Sequence, residues 1–230
     1  PVFVHIDFRE RTTWAATTVP RGYAYANFHY QKLARDVKSG YAPGYAEGII
    51  SKFNITGDDA WRAIAAWAFG ASRVMDYLQT DSDVDASRVA VIGHSRNGKA
   101  ALWCAAQDER FAMAVPNNSG HTGVQLARRR VGRNDVARIS GHFRHWTCKN
   151  YSKFGKAEDS LPVDQHQLIA LIAPRPICMG SASKDTRFAD PIAEFYSAVF
   201  AQPVFELLGV GRNTWTIKDF PSVNTVMVNG

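Results

Sequence analysis

The chain has 230 residues, 46% of them hydrophobic and 12% aromatic, which is enough apolar material for one sizeable core and fits a single α/β domain. No run approaches the length that crosses a bilayer, and three cysteines without metal-ligand spacing exclude a disulfide framework. The net charge of +6 gathers partly in Arg128-Arg129-Arg130 and Arg133 without interleaved aromatics, so it reads as a solvated surface suited to an anionic polysaccharide, not as a nucleic-acid stripe.

Residues 2–8 and 23–30 read as strands, separated by a turn-rich piece that ends Pro20-Arg21-Gly22. The chain enters the first strand directly from Pro1, so an upstream segment is expected to have been removed or left out. Residues 31–58 are polar and glycine-dotted and predict a long surface excursion. An apolar stripe at helical spacing over 61–78 predicts a helix, with Asp58 or Asp59 as its cap. A strand at 89–93, a helix at 99–107 and a strand at 111–116 make a β-α-β unit.

Residues 120–160 lack a clean period and carry many basic and aromatic groups, as expected of a substrate-loop insertion after a sheet strand. A helix at 164–172, a buried strand at 176–180, a helix at 191–200 and a last strand at 204–208 follow. Cys104 and Cys178 fall in apolar helix and strand patterns, where a buried free thiol is expected. The alternation predicts an α/β fold: one doubly wound, mainly parallel sheet in a three-layer αβα sandwich, a single domain over 1–230.

The stretch Val89-Ala90-Val91-Ile92-Gly93-His94-Ser95-Arg96-Asn97-Gly98-Lys99 holds the most chemistry. It reads as a strand, a sharp turn with serine at its apex, and a helix. That geometry lifts a nucleophilic hydroxyl above the sheet of an α/β-hydrolase. The turn requires a small residue two before the serine, and Gly93 supplies it. The pattern departs from G-x-S-x-G, with Asn97 at the second glycine position and Gly98 one later. An ordinary strand-to-helix turn with a capping serine is the alternative. Arg96 and Lys99 favour the functional reading, because cations are disfavoured at the positive end of a helix but can face a developing oxyanion or a bound sugar.

Gly93-His94-Ser95-Arg96-Asn97-Gly98-Lys99 resembles the G-C-S-R-x-G-K signature of the glucuronoyl esterases, carbohydrate esterase family 15, with histidine in the cysteine position. Residues 61–81, Asp108-Glu109-Arg110-Phe111, Asn117-Asn118-Ser119-Gly120, 161–176 and Ala189-Asp190-Pro191 resemble its bacterial branch. The resemblance implies an α/β-hydrolase fold and a serine esterase that cleaves the ester between (4-O-methyl)glucuronoyl groups of glucuronoxylan and lignin alcohols. It implies no cofactor or metal, no nucleic-acid or membrane partner, and a secreted or periplasmic enzyme. Ser95 would be the nucleophile, Arg96 the oxyanion stabiliser and Lys99 a ligand for sugar hydroxyls, with Trp146 and Phe188 lining the substrate pocket.

A serine nucleophile needs a histidine held by a carboxylate. Asp185 is the favoured acid, because it follows the expected strand at 176–180; Asp190 is the alternative and reads as a helix cap. The fungal acid position is occupied here by Asn118. The family's histidine follows the final strand, whereas the last histidine here is His166, so the chain is expected to stop short of its base. His121, just after a strand end, is the best stand-in; His142 and His145 could line the pocket. A chain without its base is expected to be a feeble esterase or a uronate binder, and an acetyl-xylan or aryl-ester esterase is the other reading.

Overall fold

Largely buried runs rich in valine and isoleucine form β1 (Val2–Asp7) and β3 (Val89–His94), and the half-buried β2 (Ala24–His29) and the alternating β4 (Met113–Asn117) complete one sheet. The computed structural model describes residues 1–37, 48–129, 131, 135–211 and 215–222. The strand order is β2-β1-β3-β4, and every pairing is parallel. Val2, Val4 and Ile6 of β1 and Val89 and Val91 of β3 are fully buried, as strands covered on both faces must be.

Between strands run α1 (Ala15–Thr18), α2 (Ile49–Lys52), α3 (Ala63–Leu78) and α4 (Arg96–Gln107). Small buried residues on the facing surfaces (Ala66, Ala68 and Ala71 on α3; Ala100, Ala101 and Ala105 on α4) let these two helices pack closely over the sheet. After β4 come α5 (Val136–His142), α6 (Gln165–Ala170) and α7 (Pro191–Leu207), the last two packed together. Trp67, completely buried on α3, donates its indole N–H to the Ala34 carbonyl at 2.9 Å. That bond ties the segment after β2 into the core.

Several expectations are corrected. Residues 204–208 are not a strand: 204–207 complete α7, which runs through Pro203 and leaves Leu207 82% exposed. A short apolar run has no period of its own, and here it continues the register of the helix before it. Residues 176–180 touch β4 through the isolated parallel bridges Ala114↔Ile177 and Asn117↔Gly180. They are half-buried to exposed, not a buried strand, and Cys178 is exposed while Cys104 is buried. Neither Asp58 nor Asp59 caps α3. Arg62 stands at its N-cap, the Ala63 and Ile64 N–H groups are taken by the carbonyls of His145 and Trp146, and Asp58 pairs with Lys149 at 2.9 Å. The helix after Ser95 starts at Arg96, not at 99.

The segment expected to be a surface excursion buries Ala34 and Ile50; its residues 38–47 lie outside the described residues. In the arginine cluster, Arg128 donates to the Leu161 carbonyl and Arg129 pairs with Asp190 at 2.7 Å, so these two brace the fold instead of forming a free basic face. Arg130 and Arg133 lie outside the described residues. Among the described residues no helix is long and apolar enough to cross a membrane.

Candidate active site

The C-terminal ends of the parallel strands converge on Ser95, which joins β3 to α4. Its backbone sits at φ 57°, ψ −122°, a region that a side-chain-bearing residue seldom enters. Two bonds hold that strain: the Ser95 N–H donates to Asn117 O at 2.9 Å, and the Ser95 carbonyl accepts from Lys99 N–H at 3.1 Å. The turn is so tight that a Cβ on Gly93 would lie 2.1 Å from the Asn97 carbonyl oxygen. At Gly98 it would lie 2.9 Å from the Asn117 oxygen. The shifted second glycine therefore has its own reason, close approach to β4. The first turn of α4 leaves its N–H groups without intrahelical acceptors directly beside Ser95.

Arg96, half-buried, and Lys99, buried, are both held by the fold rather than free surface charges. The Arg96 guanidinium pairs with Asp36 and lies over the rings of Trp146 (5.1 Å) and Phe8 (5.8 Å). Asp36, 4% exposed, also accepts from Tyr30 Oη at 2.9 Å, His145 Nε2 at 2.7 Å and Trp146 Nε1 at 2.8 Å. Burial alone would raise this carboxyl, but the bonds from His145 and Trp146 and the Arg96 charge outweigh it and hold the group well below the usual carboxylate range. The neighbouring Tyr30 phenol is pushed up to about 12, by burial first and then by the Asp36 charge.

Lys99 is buried, with its ammonium bonded to the carbonyls of Ser119 and His121 and 5.9 Å from the Trp146 ring centre. Burial pushes it down to about 7, with the Glu194 charge opposing and Arg96 assisting. Glu194, fully buried on α7, accepts from the Gly120 N–H at 2.7 Å and from the Ser181 hydroxyl; burial pushes its carboxyl up.

A stability prediction follows for Lys99. Below about 7, folded and unfolded chains both hold the proton, and the cost of a buried charge is present in full. Between there and the ordinary value of 10.5 the unfolded chain keeps a proton that the folded chain has released, so stability rises with pH. Lys99→Met is expected to flatten that rise in urea melts taken across the window. An unchanged slope would assign the rise to another group.

The remaining expected site residues are dispersed. Asp190 caps α7 through Ile192 and Ala193 N–H and pairs with Arg129, as a helix-start reading requires. Asp185 sits in a turn, with a carboxylate oxygen 3.3 Å from the Phe188 N–H, and no described histidine bonds to it. Phe188 is exposed beneath Arg187, while Trp146 is 6% exposed, stacked on Phe143 at 4.1 Å. Trp146 is therefore a support under Arg96 and Lys99 before it is a pocket wall.

None of the seven histidines hydrogen-bonds Ser95 among the described residues. His121 is buried beside the Tyr151 hydroxyl at 3.3 Å; burial and then Lys99 push its imidazole down to about 4. His145 is held by Asp36, not by a pocket, and His94 bonds Asn117 at 2.9 Å. Asp36 and Glu194 escaped the sequence reading. One lies in a stretch without period, and the other looks like a first-turn acid of α7.

A parallel sheet with a serine at positive φ between a central strand and a helix defines the α/β-hydrolase fold. A family model described as glucuronyl esterase of fungi matches residues 1–209, and the chain belongs to the glucuronoyl esterase family, carbohydrate esterase family 15. A carbohydrate esterase of an unknown prokaryotic organism is 51% identical over 151 residues, 66% of this chain and 34% of its own. The 4-O-methyl-glucuronoyl methylesterase of Phanerochaete carnosa is 32% identical over 73% of this chain and 43% of its own.

Two solved structures superpose with TM-scores of 0.84 at 34% identity. One is a promiscuous esterase of family 15 from a marine bacterial metagenome, matched over 98% of this chain and 66% of that one. The other is a glucuronoyl esterase of Teredinibacter turnerae, matched over 91% and 55%. The chain thus spans 34% and 43% of these two curated relatives.

Proposed function

We propose that this chain supplies the nucleophile and oxyanion side of a serine esterase acting on uronoyl esters of glucuronoxylan. The observation that carries the reading is the strained Ser95, fixed at positive φ beside Arg96 and the open end of α4. Ser95 Oγ attacks the uronoyl carbonyl carbon and its proton passes to an imidazole. The carbonyl oxygen becomes an oxyanion facing the first N–H groups of α4 and the Arg96 side chain. Collapse of the tetrahedral species breaks the bond to the alcohol, which leaves with the proton, and water then hydrolyses the acyl-serine. Lys99 serves the sugar side and keeps the Ser119 and His121 carbonyls in place.

The base in these steps is an imidazole, and among the described residues none of the seven histidines bonds Ser95. Asp185, in the turn that follows the segment 176–180, is the acid we assign to that imidazole. The chain carries an α/β-hydrolase domain with 120–160 as its substrate-loop insertion. A plant cell-wall substrate places the enzyme outside the cytoplasm. No metal or other cofactor enters these steps.

A substrate panel tests the reading: the benzyl ester of 4-O-methyl-glucuronate, acetylated xylan and p-nitrophenyl acetate. The uronate ester is expected to give the highest kcat/KM. A preference for acetylated xylan or the aryl ester would replace the uronoyl reading with a general carbohydrate or aryl esterase.

A further inference from the structure

Arg96 does not stand alone at the elbow. Asp36 collects four donors from separated parts of the chain: Tyr30 after β2, His145 and Trp146 of the insertion, and Arg96 of α4. The carbonyls of the same His145 and Trp146 close the start of α3. Asp36 therefore joins the insertion, the end of β2 and the elbow at one buried carboxylate.

The negative charge is divided among four donors, so Asp36 anchors Arg96 without claiming all its positive charge. Arg96 gives Nη1 to Asp36, while its Nε is buried with no partner, one residue from Ser95. A buried guanidinium N–H without an acceptor is costly, and an acceptor supplied by the reacting ester would relieve that cost.

We propose that Asp36 is a positioning residue that presets Arg96, so that the donors Arg96 leaves unused face the oxyanion before substrate arrives. The inference rests on the esterase reading above, and it predicts an effect on kcat passed entirely through Arg96. Preset donors act on charge that develops only in the transition state, so KM should barely move.

The test is a double-mutant cycle in the full protein with the benzyl uronate ester. Asp36→Asn keeps the size of the side chain but replaces an acceptor with a donor facing Arg96. It is expected to lower kcat about 10- to 100-fold with KM changed less than about twofold. On an Arg96→Ala background the same substitution is expected to cost nothing further. An equal loss on both backgrounds, or no loss on either, overturns the proposal.

Tyr30→Phe is the milder companion should Asp36→Asn fail to fold. It removes one donor from the same carboxylate oxygen, and a few-fold loss of kcat is expected that vanishes on the Arg96→Ala background. A loss that persists there overturns the proposal. The Arg96 Nε–Hε resonance provides a readout that needs no turnover. Guanidinium rotation is expected to be slow in the wild type and fast in Asp36→Asn; the same rotation rate in both overturns the positioning role. If the wild type turns over none of the esters, the esterase reading fails while the resonance still decides whether Asp36 holds Arg96.

Discussion

Gly93→Ala is expected to break the elbow. The added Cβ would meet the Asn97 carbonyl oxygen at 2.1 Å and its carbon at 2.4 Å. These are backbone atoms of the first turn of α4, so the clash cannot be relieved by turning a side chain. Either α4 moves away from β3 or the strand bends, and both displace Ser95. Overpacking of this kind costs about 2–3 kcal/mol. For a chain of this size that is a fall in melting temperature of roughly 4–12 °C.

Activity should fall further than stability, by about 100-fold, because the proposed nucleophile, Ser95, is misplaced even in molecules that fold. Gly141→Ala is the control, since a Cβ there meets nothing within 4 Å. It lies inside α5, where alanine for glycine should stabilise by up to about 1 kcal/mol. A Gly93→Ala chain with wild-type melting and kcat would mean that the elbow is looser than its backbone contacts require.

The elbow was legible in the sequence because its constraint is local. The Gly93 to Ser95 spacing and the β-branched run before it need no knowledge of distant residues, and the structure places Ser95 at φ 57°. β1 and β3 were legible for the same reason, as largely apolar runs buried on both faces. The error at 204–208 came from a run too short to carry a period, whose register is set by the preceding turns of α7.

Asp36 was illegible for a different reason. It sits in a segment without periodicity, and its partners lie as far as 110 residues away. No local pattern separates an aspartate that anchors an arginine from one facing water. The same holds for Trp146. Its aromatic character suggested a pocket wall, whereas its indole N–H is spent on Asp36 and its face on two cations. Glu194 shows the limit of capping rules: an acid in the first turn of α7 suits the helix dipole, yet this one is fully buried and holds the Gly120 N–H.

The favoured acid and the base remain the least local part of the site. Asp190 was read as a helix start and proves to cap α7, while Asp185, the favoured acid, lies in the turn after the segment 176–180. The imidazole that Asp185 would orient depends on residues far apart in sequence, and spacing cannot specify such a contact.

The central claim is that Ser95 attacks the uronoyl ester. It is tested most directly by following hydrolysis of the benzyl ester of 4-O-methyl-glucuronate by the full protein beside its Ser95→Ala variant. Removing a serine nucleophile that works with its base costs on the order of 10⁴- to 10⁶-fold in kcat. A loss of that size, with the variant still folded, is the result expected. Turnover by Ser95→Ala equal to that of the wild type would contradict the account.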